Sequence, residues 1–253
     1  MNELFNAERW ATTLASSDLL WQGFLFTIEV SLAGLAVSLV IGTLIGICST
    51  TRSRVLRAIA RVYVEFFQNT PIVVQVFFVY TAGPMILQAM TGAEHVVRIA
   101  PFVLVVLCVG LYHGAYVAEV IRTGIEAIPR GQMEGAQSQG FSRVQAYRYI
   151  ILPQTFRIIL PPLANQALNL IKNTSVLALI AGGDLMYQAD IIVSDTGYLQ
   201  GYIVCCVMYF LICFPLAMLI TWLERRSKAP RKAKPTDTVE AAGATAPPTA
   251  EEA

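Results

Sequence analysis

Charge is what this chain has least of. Among 253 residues only 14% are Asp, Glu, Lys or Arg, while 55% are hydrophobic; an ordinary soluble domain carries roughly a quarter charged residues and an apolar share nearer half. That excludes a soluble enzyme or binding module as the main body and leaves a chain whose solvent is largely lipid. The net charge is +1, and no basic stripe with interleaved aromatics runs through the body of the chain, which excludes a nucleic-acid binder. Cys48, Cys108, Cys205, Cys206 and Cys213 all fall in apolar runs without CxxC or Cys/His spacing. Neither a metal centre nor a disulfide framework is expected from them. A phosphate loop of the form G-x-x-x-x-G-K-[ST] is missing, so nucleotide hydrolysis is not expected in this chain. No short apolar core with a small-residue cleavage site opens it either, and the first apolar run is long enough to stay in the bilayer as its own insertion signal.

What is present is a series of long apolar runs. About 20 apolar residues cross the hydrocarbon of a bilayer, and five runs qualify, near 20–48, 63–90, 99–121, 156–181 and 200–223. The fourth is interrupted by Pro161, Pro162, Asn165, Gln166, Asn169 and Lys172, whose polar atoms must face protein or water rather than lipid. The expected fold is all-α: one polytopic membrane domain over 20–224 with about five transmembrane helices, after a short segment 1–19. Residues 225–253 are rich in Lys, Arg, Pro, Ala, Thr and Glu. Such a tail cannot bury enough apolar surface to offset its ordering entropy and is expected to be disordered.

Basic residues orient the runs. Arg52, Arg54, Arg57 and Arg61 follow the first; Arg122, Arg130, Arg143, Arg148 and Arg157 lie between the third and fourth; Arg225, Arg226, Lys228, Arg231, Lys232 and Lys234 follow the fifth. The other side holds only Arg9 and Arg98. The positive-inside rule then puts the N-terminus outside and the C-terminus in the cytoplasm. Segment 182–199, with Asp184, Asp190 and Asp195 and no basic residue, falls outside. In the first run Gly42 and Gly46 form a small-xxx-small face that lets another helix approach, weakly favouring contact between subunits.

The loop 122–157 is too polar to span and too long for a plain connector. After Pro129-Arg130-Gly131 the spacing predicts a helix over 132–139, ended by Gly140 in the left-handed conformation. Ser142 and Gln145 have capping-box spacing, so a second helix starts at once at a steep angle. Met133 and Phe141 supply apolar contacts. The short helix either docks into another protein or packs only on its own bundle.

The motif itself is Glu134-Gly135-Ala136, three residues to Gly140, nine more to Ile150, then Leu152-Pro153. It resembles the cytoplasmic loop of permease subunits from binding-protein-dependent ABC importers. The run AYVAEVIRTGIEAIPRGQ over 115–132, Asn69-Thr70-Pro71 with Gln75, Leu152-Pro153-Gln154 and Lys172-Asn173-Thr174-Ser175 are similar to the polar amino-acid branch, the histidine/glutamate/glutamine permease subfamily. One departure is Gly135, where alanine is common; glycine weakens a helix by about 1 kcal/mol relative to alanine.

The resemblance implies a type I ABC importer permease fold in a bacterial inner membrane, with a cytoplasmic coupling helix. The implied partners are two ATP-binding subunits that carry ATP and magnesium, a second permease (the same chain or a sister), an extracytoplasmic solute-binding protein and a polar amino acid. This chain needs no cofactor and has no catalytic residue of its own. Coupling to the ATPase falls to Glu134, Gly135, Ala136, Gly140 and Pro153. The substrate path is expected along Lys172, Asn173, Thr174, Ser175 and Asn169. A buried charge is costly unless paired or hydrated, so Lys172 either faces the path or pairs with Glu29 or Glu119. Glu119 is one turn from Arg122, and an i, i+3 ion pair there is the structural expectation. His113 is expected to be a packed, hydrogen-bonded residue. Alternative readings are the same machinery with an opine or other modified amino acid, a proton-coupled carrier, or an intramembrane enzyme. The carrier usually needs more spans and midplane carboxylates. Gly182-Gly183-Asp184 is one residue short of an aspartyl protease motif, and no second aspartate lies in any run.

Overall fold

A computed structural model describes residues 4–93, 95, 99–180 and 182–228 of the protein. The described residues are nearly all helical, as hydrocarbon requires of a spanning backbone that must satisfy its own N–H and C=O groups. In chain order the helices are α1 (Ala7–Ala15), α2 (Ser17–Thr50), α3 (Arg54–Asn69), α4 (Ile72–Thr91), α5 (Pro101–Glu126), α6 (Arg130–Ser138) and α7 (Arg143–Ala146). A π-helical turn (Tyr147–Ile151) leads into α8 (Leu152–Asn173), a 3-10 turn (Thr174–Ile180), α9 (Leu185–Thr196) and α10 (Gln200–Lys228). Four of them, α2, α4, α5 and α10, are long and apolar enough to cross a membrane; a fifth crossing is made if the segment ending at Ile180 and α9 form one span bent by 44°.

The centre is α5, whose Val105, Val109 and Ala115 are fully buried. Its closest neighbour is α2. A Cβ on Gly42 would stand 2.5 Å from the Val117 side chain, one on Gly46 2.9 Å from the Ala118 carbonyl, and one on Gly110 2.6 Å from Val37. The offset between contacting residues stays nearly constant, so α2 and α5 run parallel. The chain between them must therefore return across the bilayer, and α3 and α4 make that return together. The small face at Gly42 and Gly46 thus serves packing within the chain, not between subunits as expected. On the other side α8 runs antiparallel to α5, with Ile159 against Gly124 at one end and Asn173 beside His113 at the other. Tyr63 on α3 donates to the Leu111 carbonyl (2.7 Å), and Thr27 on α2 accepts from the Leu185 N–H at the start of α9 (3.0 Å).

Several boundaries differ from expectation. The run 63–90 is not one span: Pro71 drives Thr70 into extended backbone (φ −118°, ψ 138°), and the helix breaks there. The Gln75 amide bridges the break by donating to the Phe67 and Thr70 carbonyls. The run 156–181 stops being α-helical at Thr174. Segment 182–199, read only as an exterior stretch, contains a helix: α9 buries Leu185, Ala189 and Ile192 against Leu20 of α2 and Cys205 of α10, a helical i, i+4, i+7 face. At the start, α1 is folded and capped by Asn6, which accepts from the Glu8 N–H (2.9 Å). At the end, α10 continues through Lys228 instead of stopping at 224. Arg98, Arg231, Lys232, Lys234 and the rest of the expected tail, 229–253, lie outside the described residues.

Phe77, Phe78 and Met90 of α4 and Phe210, Leu211 and Met218 of α10 are exposed; in a bilayer these meet lipid or another membrane chain at no hydrophobic cost. Overpacking a close helix crossing typically costs about 1–3 kcal/mol. Gly42→Leu is accordingly expected to lower the thermal unfolding midpoint of the detergent-solubilised chain by several degrees, while Gly131→Ala, with nothing within 4 Å of the new methyl group, leaves it unchanged or raises it.

Candidate functional site

The loop 122–157 folds as a standing helix on a braced foot. Helix α6 ends in paired reverse bonds, Phe141 N–H to the Ala136 carbonyl (3.1 Å) and Gly140 N–H to the Gln137 carbonyl (3.0 Å). This is the Schellman pattern, and it needs a left-handed residue at Gly140, whose φ is +83°. The expected capping box follows: the Ser142 N–H donates to Gln145 Oε1 (2.9 Å) and the Gln145 N–H to Ser142 Oγ (3.3 Å). Two helices therefore meet through four residues, 139–142.

Helix α6 packs chiefly against α7 and the π-helical turn. Ala136 is its one buried residue, with Met133 half-buried beside it, whereas Glu134 and Gly135 are exposed. The motif thus divides: Ala136 is the footing, and Glu134 and Gly135 form the outward face. Pro153 is exposed at the start of α8. It can give no N–H to the Tyr149 carbonyl, and the wide π turn immediately before it accommodates the ring. Gln154 ties the parts together, its amide donating to the Ile150 carbonyl (2.8 Å) and to Gln132 Oε1 on α6 (3.3 Å).

From this foot, α8 runs unbroken to a polar recess. The recess, about 360 Å³, lies between α5 and α8 and is lined by Tyr112, His113 and Tyr116 on one side and Gln166, Asn169, Lys172 and Asn173 on the other. Asn173 Nδ2 and His113 Nε2 are 3.1 Å apart, and the Tyr112 and Tyr116 hydroxyls 3.1 Å apart. The His113 residue is 1% exposed, and its Nδ1 makes no hydrogen bond of good geometry among the described residues, with Gln166 close by. Lys172 and Asn169 are exposed to the recess, and Lys172 forms no ion pair among the described residues. The alternative pairing of Lys172 with Glu119 does not occur, because Glu119 is held in the expected i, i+3 pair by Arg122 (2.5 Å), which also binds Glu126 (2.5 Å). Glu29 is exposed and likewise makes no ion pair among the described residues.

Of the expected path residues, Lys172, Asn173 and Asn169 come together; Thr174 and Ser175 do not. Thr174 is fully buried and donates to the Ile171 carbonyl (2.7 Å), and Ser175 donates to the Lys172 carbonyl (2.8 Å). Their hydroxyls are turned back on their own backbone, a habit of short hydroxyl side chains in helices. Tyr112 and Tyr116 escaped notice in the sequence. Their i, i+4 spacing on the same span as His113 was the available signal.

The Binding-protein-dependent transport system inner membrane component model matches residues 38–229. The chain belongs to this family. It is a permease, which moves a solute and leaves bond chemistry to other subunits. Its relatives include the probable glutamine ABC transporter permease GlnM of Bacillus subtilis, 38% identical over 81% of this chain and 91% of that protein. The glutamate/aspartate import permease GltJ of Escherichia coli is 32% identical over 83% and 88% of the two chains. A crystal structure of an amino acid ABC transporter with histidines superposes with a TM-score of 0.75 at 30% identity, covering 84% of this permease and 96% of that chain. The MetNI methionine transporter, at 14% identity and a TM-score of 0.59, shares the fold. The fold is that of type I importer permeases.

The two glycines of the loop are expected to respond oppositely to alanine. Neither would meet an atom within 4 Å, but only Gly140 has positive φ. Gly135→Ala should stabilise α6 by up to about 1 kcal/mol, and Gly140→Ala should cost about 1–2 kcal/mol. Amide hydrogen exchange within α6 reads both, slowed in the first variant and quickened in the second.

Proposed function

We propose that this permease lines the path of an ATP-driven importer of polar amino acids and couples to a separate ATPase through Glu134, Gly135 and Gly140, on the footing of Ala136 and Pro153. The observation that carries the reading is the outward face of α6, with Glu134 and Gly135 exposed on a helix braced from below. A rigid exposed knob is suited to docking in a groove, and a charged residue on it can fix the register of the contact.

The assembly has two permeases, two ATPase subunits and an extracytoplasmic binding protein. ATP and magnesium reside in the ATPases. The arginine-rich ends of the helices lie in the cytoplasm and the N-terminus outside, in the inner membrane of a bacterium. When ATP closes the motor dimer, the two α6 knobs are drawn together. The displacement passes through α7, the π turn and the Gln154 bonds into α8, and arrives at Asn169, Lys172 and Asn173 roughly 30 Å away at 1.5 Å per residue. A lever of this length turns a small movement at the knob into a change of access at the recess.

Cargo chemistry is read from the recess. One ammonium, three carboxamides, an imidazole and two phenol hydroxyls suit the carboxylate and side chain of a polar amino acid. Relatives are named for glutamine and for glutamate/aspartate, and the cargo proposed here is of that class. Specificity beyond it rests with the binding protein.

Two experiments in proteoliposomes with the ATPase and binding protein test the reading. Glu134→Lys combined with Gly140→Asp is expected to abolish transport-coupled ATP hydrolysis; unchanged hydrolysis would sink the coupling assignment. Lys172→Met removes a charge-assisted hydrogen bond worth about 1.5–3 kcal/mol, so uptake should fall by about tenfold or more while the ATPase still co-purifies. Uptake at the wild-type rate would remove Lys172 from the path.

A further inference from the structure

A second hydrophilic space lies nearer the arginine-rich end, between α3 and α5. It encloses about 460 Å³. Its α3 wall carries Arg57, Arg61, Glu65 and Gln68, one face of the helix at i, i+4, i+8 and i+11. The opposite face of α3 is Val55, Ile59, Val62 and Phe66, all exposed. The helix is therefore amphipathic, and its polar side lines the recess with Arg57, Arg61 and Glu65 open to solvent, an arrangement that membrane proteins reserve for water-filled or liganded cavities.

Most of the charges in this recess are already spent. Arg122 is gripped by Glu119 and Glu126, Arg57 donates to the Thr51 carbonyl (3.1 Å), and Gln68 to the Ala115 carbonyl (3.5 Å). Arg61 and Glu65 are not: neither side chain has a partner among the described residues. They sit one turn apart with the cation N-terminal to the carboxylate, the less favourable order for pairing with each other. An unengaged cation and an unengaged carboxylate at this spacing complement a zwitterion, the guanidinium taking a carboxylate and the carboxylate an ammonium. The recess as a whole balances three arginines against three glutamates, which disfavours an anion such as a phospholipid headgroup.

The two recesses are adjacent. On α5, Tyr112 and Tyr116 of the first and Glu119 and Glu126 of the second fall on one stripe, at i, i+4, i+7 and i+14. We propose that the recess between α3 and α5 is a second, inner station for a free α-amino acid, held at its backbone ammonium and carboxylate by Glu65 and Arg61. This rests on the importer reading above. Because the grip is on the backbone groups, the inner station accepts α-amino acids as a class.

The test is equilibrium binding of radiolabelled L-glutamine to the full permease–ATPase complex in nanodiscs, without the binding protein, with ATP-driven uptake measured in parallel. Two equivalents per permease are expected for the wild type. Arg61→Ala and the isosteric Glu65→Gln should each abolish one equivalent, or weaken it at least tenfold, and Lys172→Met the other. Wild-type binding in both Arg61→Ala and Glu65→Gln, with monodisperse complexes, overturns the inner station. So does an anionic phospholipid that co-purifies with the wild type and is lost from Arg61→Ala. If the wild type imports glutamine but shows no Arg61-dependent binding, the inner station fails and the importer reading stands. If it imports no amino acid with a competent motor, both fail.

Discussion

The close approach of α2 and α5 fixes everything else in this permease. In lipid there is no hydrophobic force between helices, so they hold by van der Waals contact, and contact requires small residues at the crossing. Gly42, Gly46 and Gly110 bring the two backbones together where any side chain would collide with Val117, Ala118 or Val37. Because the pair is parallel, α5 becomes a rigid inner column with a free side on either hand. Helix α8 takes one side, seated at Gly124, and α3 takes the other, seated by the Tyr63 hydroxyl. The two polar recesses are the spaces left where those seats end.

Local chemistry made the loop 122–157 readable in advance. A glycine at a Schellman position and a serine three residues before a glutamine act through bonds within six residues, and the folded loop contains both as spelled out by Gly140, Ser142 and Gln145. Long-range arrangement was less legible. An apolar count over 63–90 passes over Thr70-Pro71, since hydropathy carries no information about the φ of Thr70. The aspartates of 182–199 hid the helical period of Leu185, Ala189 and Ile192. The hydroxyls of Thr174 and Ser175 looked like path donors, but the Ile171 and Lys172 carbonyls one turn earlier accept them, and the Gly42 and Gly46 face names a close neighbour without saying which. His113 was read correctly as a hydrogen-bonded packing residue, but its place at the wall of the recess depends on Asn173, sixty residues away.

The division of the motif has a mechanical meaning. Ala136 lies against α7 and the π turn, where a larger side chain would lift α6 from its foot, and its small size keeps the knob in contact with the lever. Gly135 is on the open side, where alanine would fit without hindrance. Its softening of α6 is therefore a local property that the Gln132 to Gln154 bond and the Schellman closure offset at either end. Rigidity in this loop comes from its terminal bonds more than from helix propensity.

Charge accounting across the membrane domain separates structure from passage. An ionisable group among helices is tolerated when it is paired, and the Glu119, Arg122 and Glu126 cluster is of that kind; it staples two turns of α5 and engages the guanidinium on both sides. Lys172, Arg61 and Glu65 are of the other kind. Each stands at the wall of a hydrophilic space without a partner among the described residues, so the cost of keeping it charged must be met by water or by a bound solute. On the path proposed above, a solute carrying both charges would satisfy all three in turn, and the stripe of Tyr112, Tyr116, Glu119 and Glu126 along α5 offers a polar surface between the two recesses.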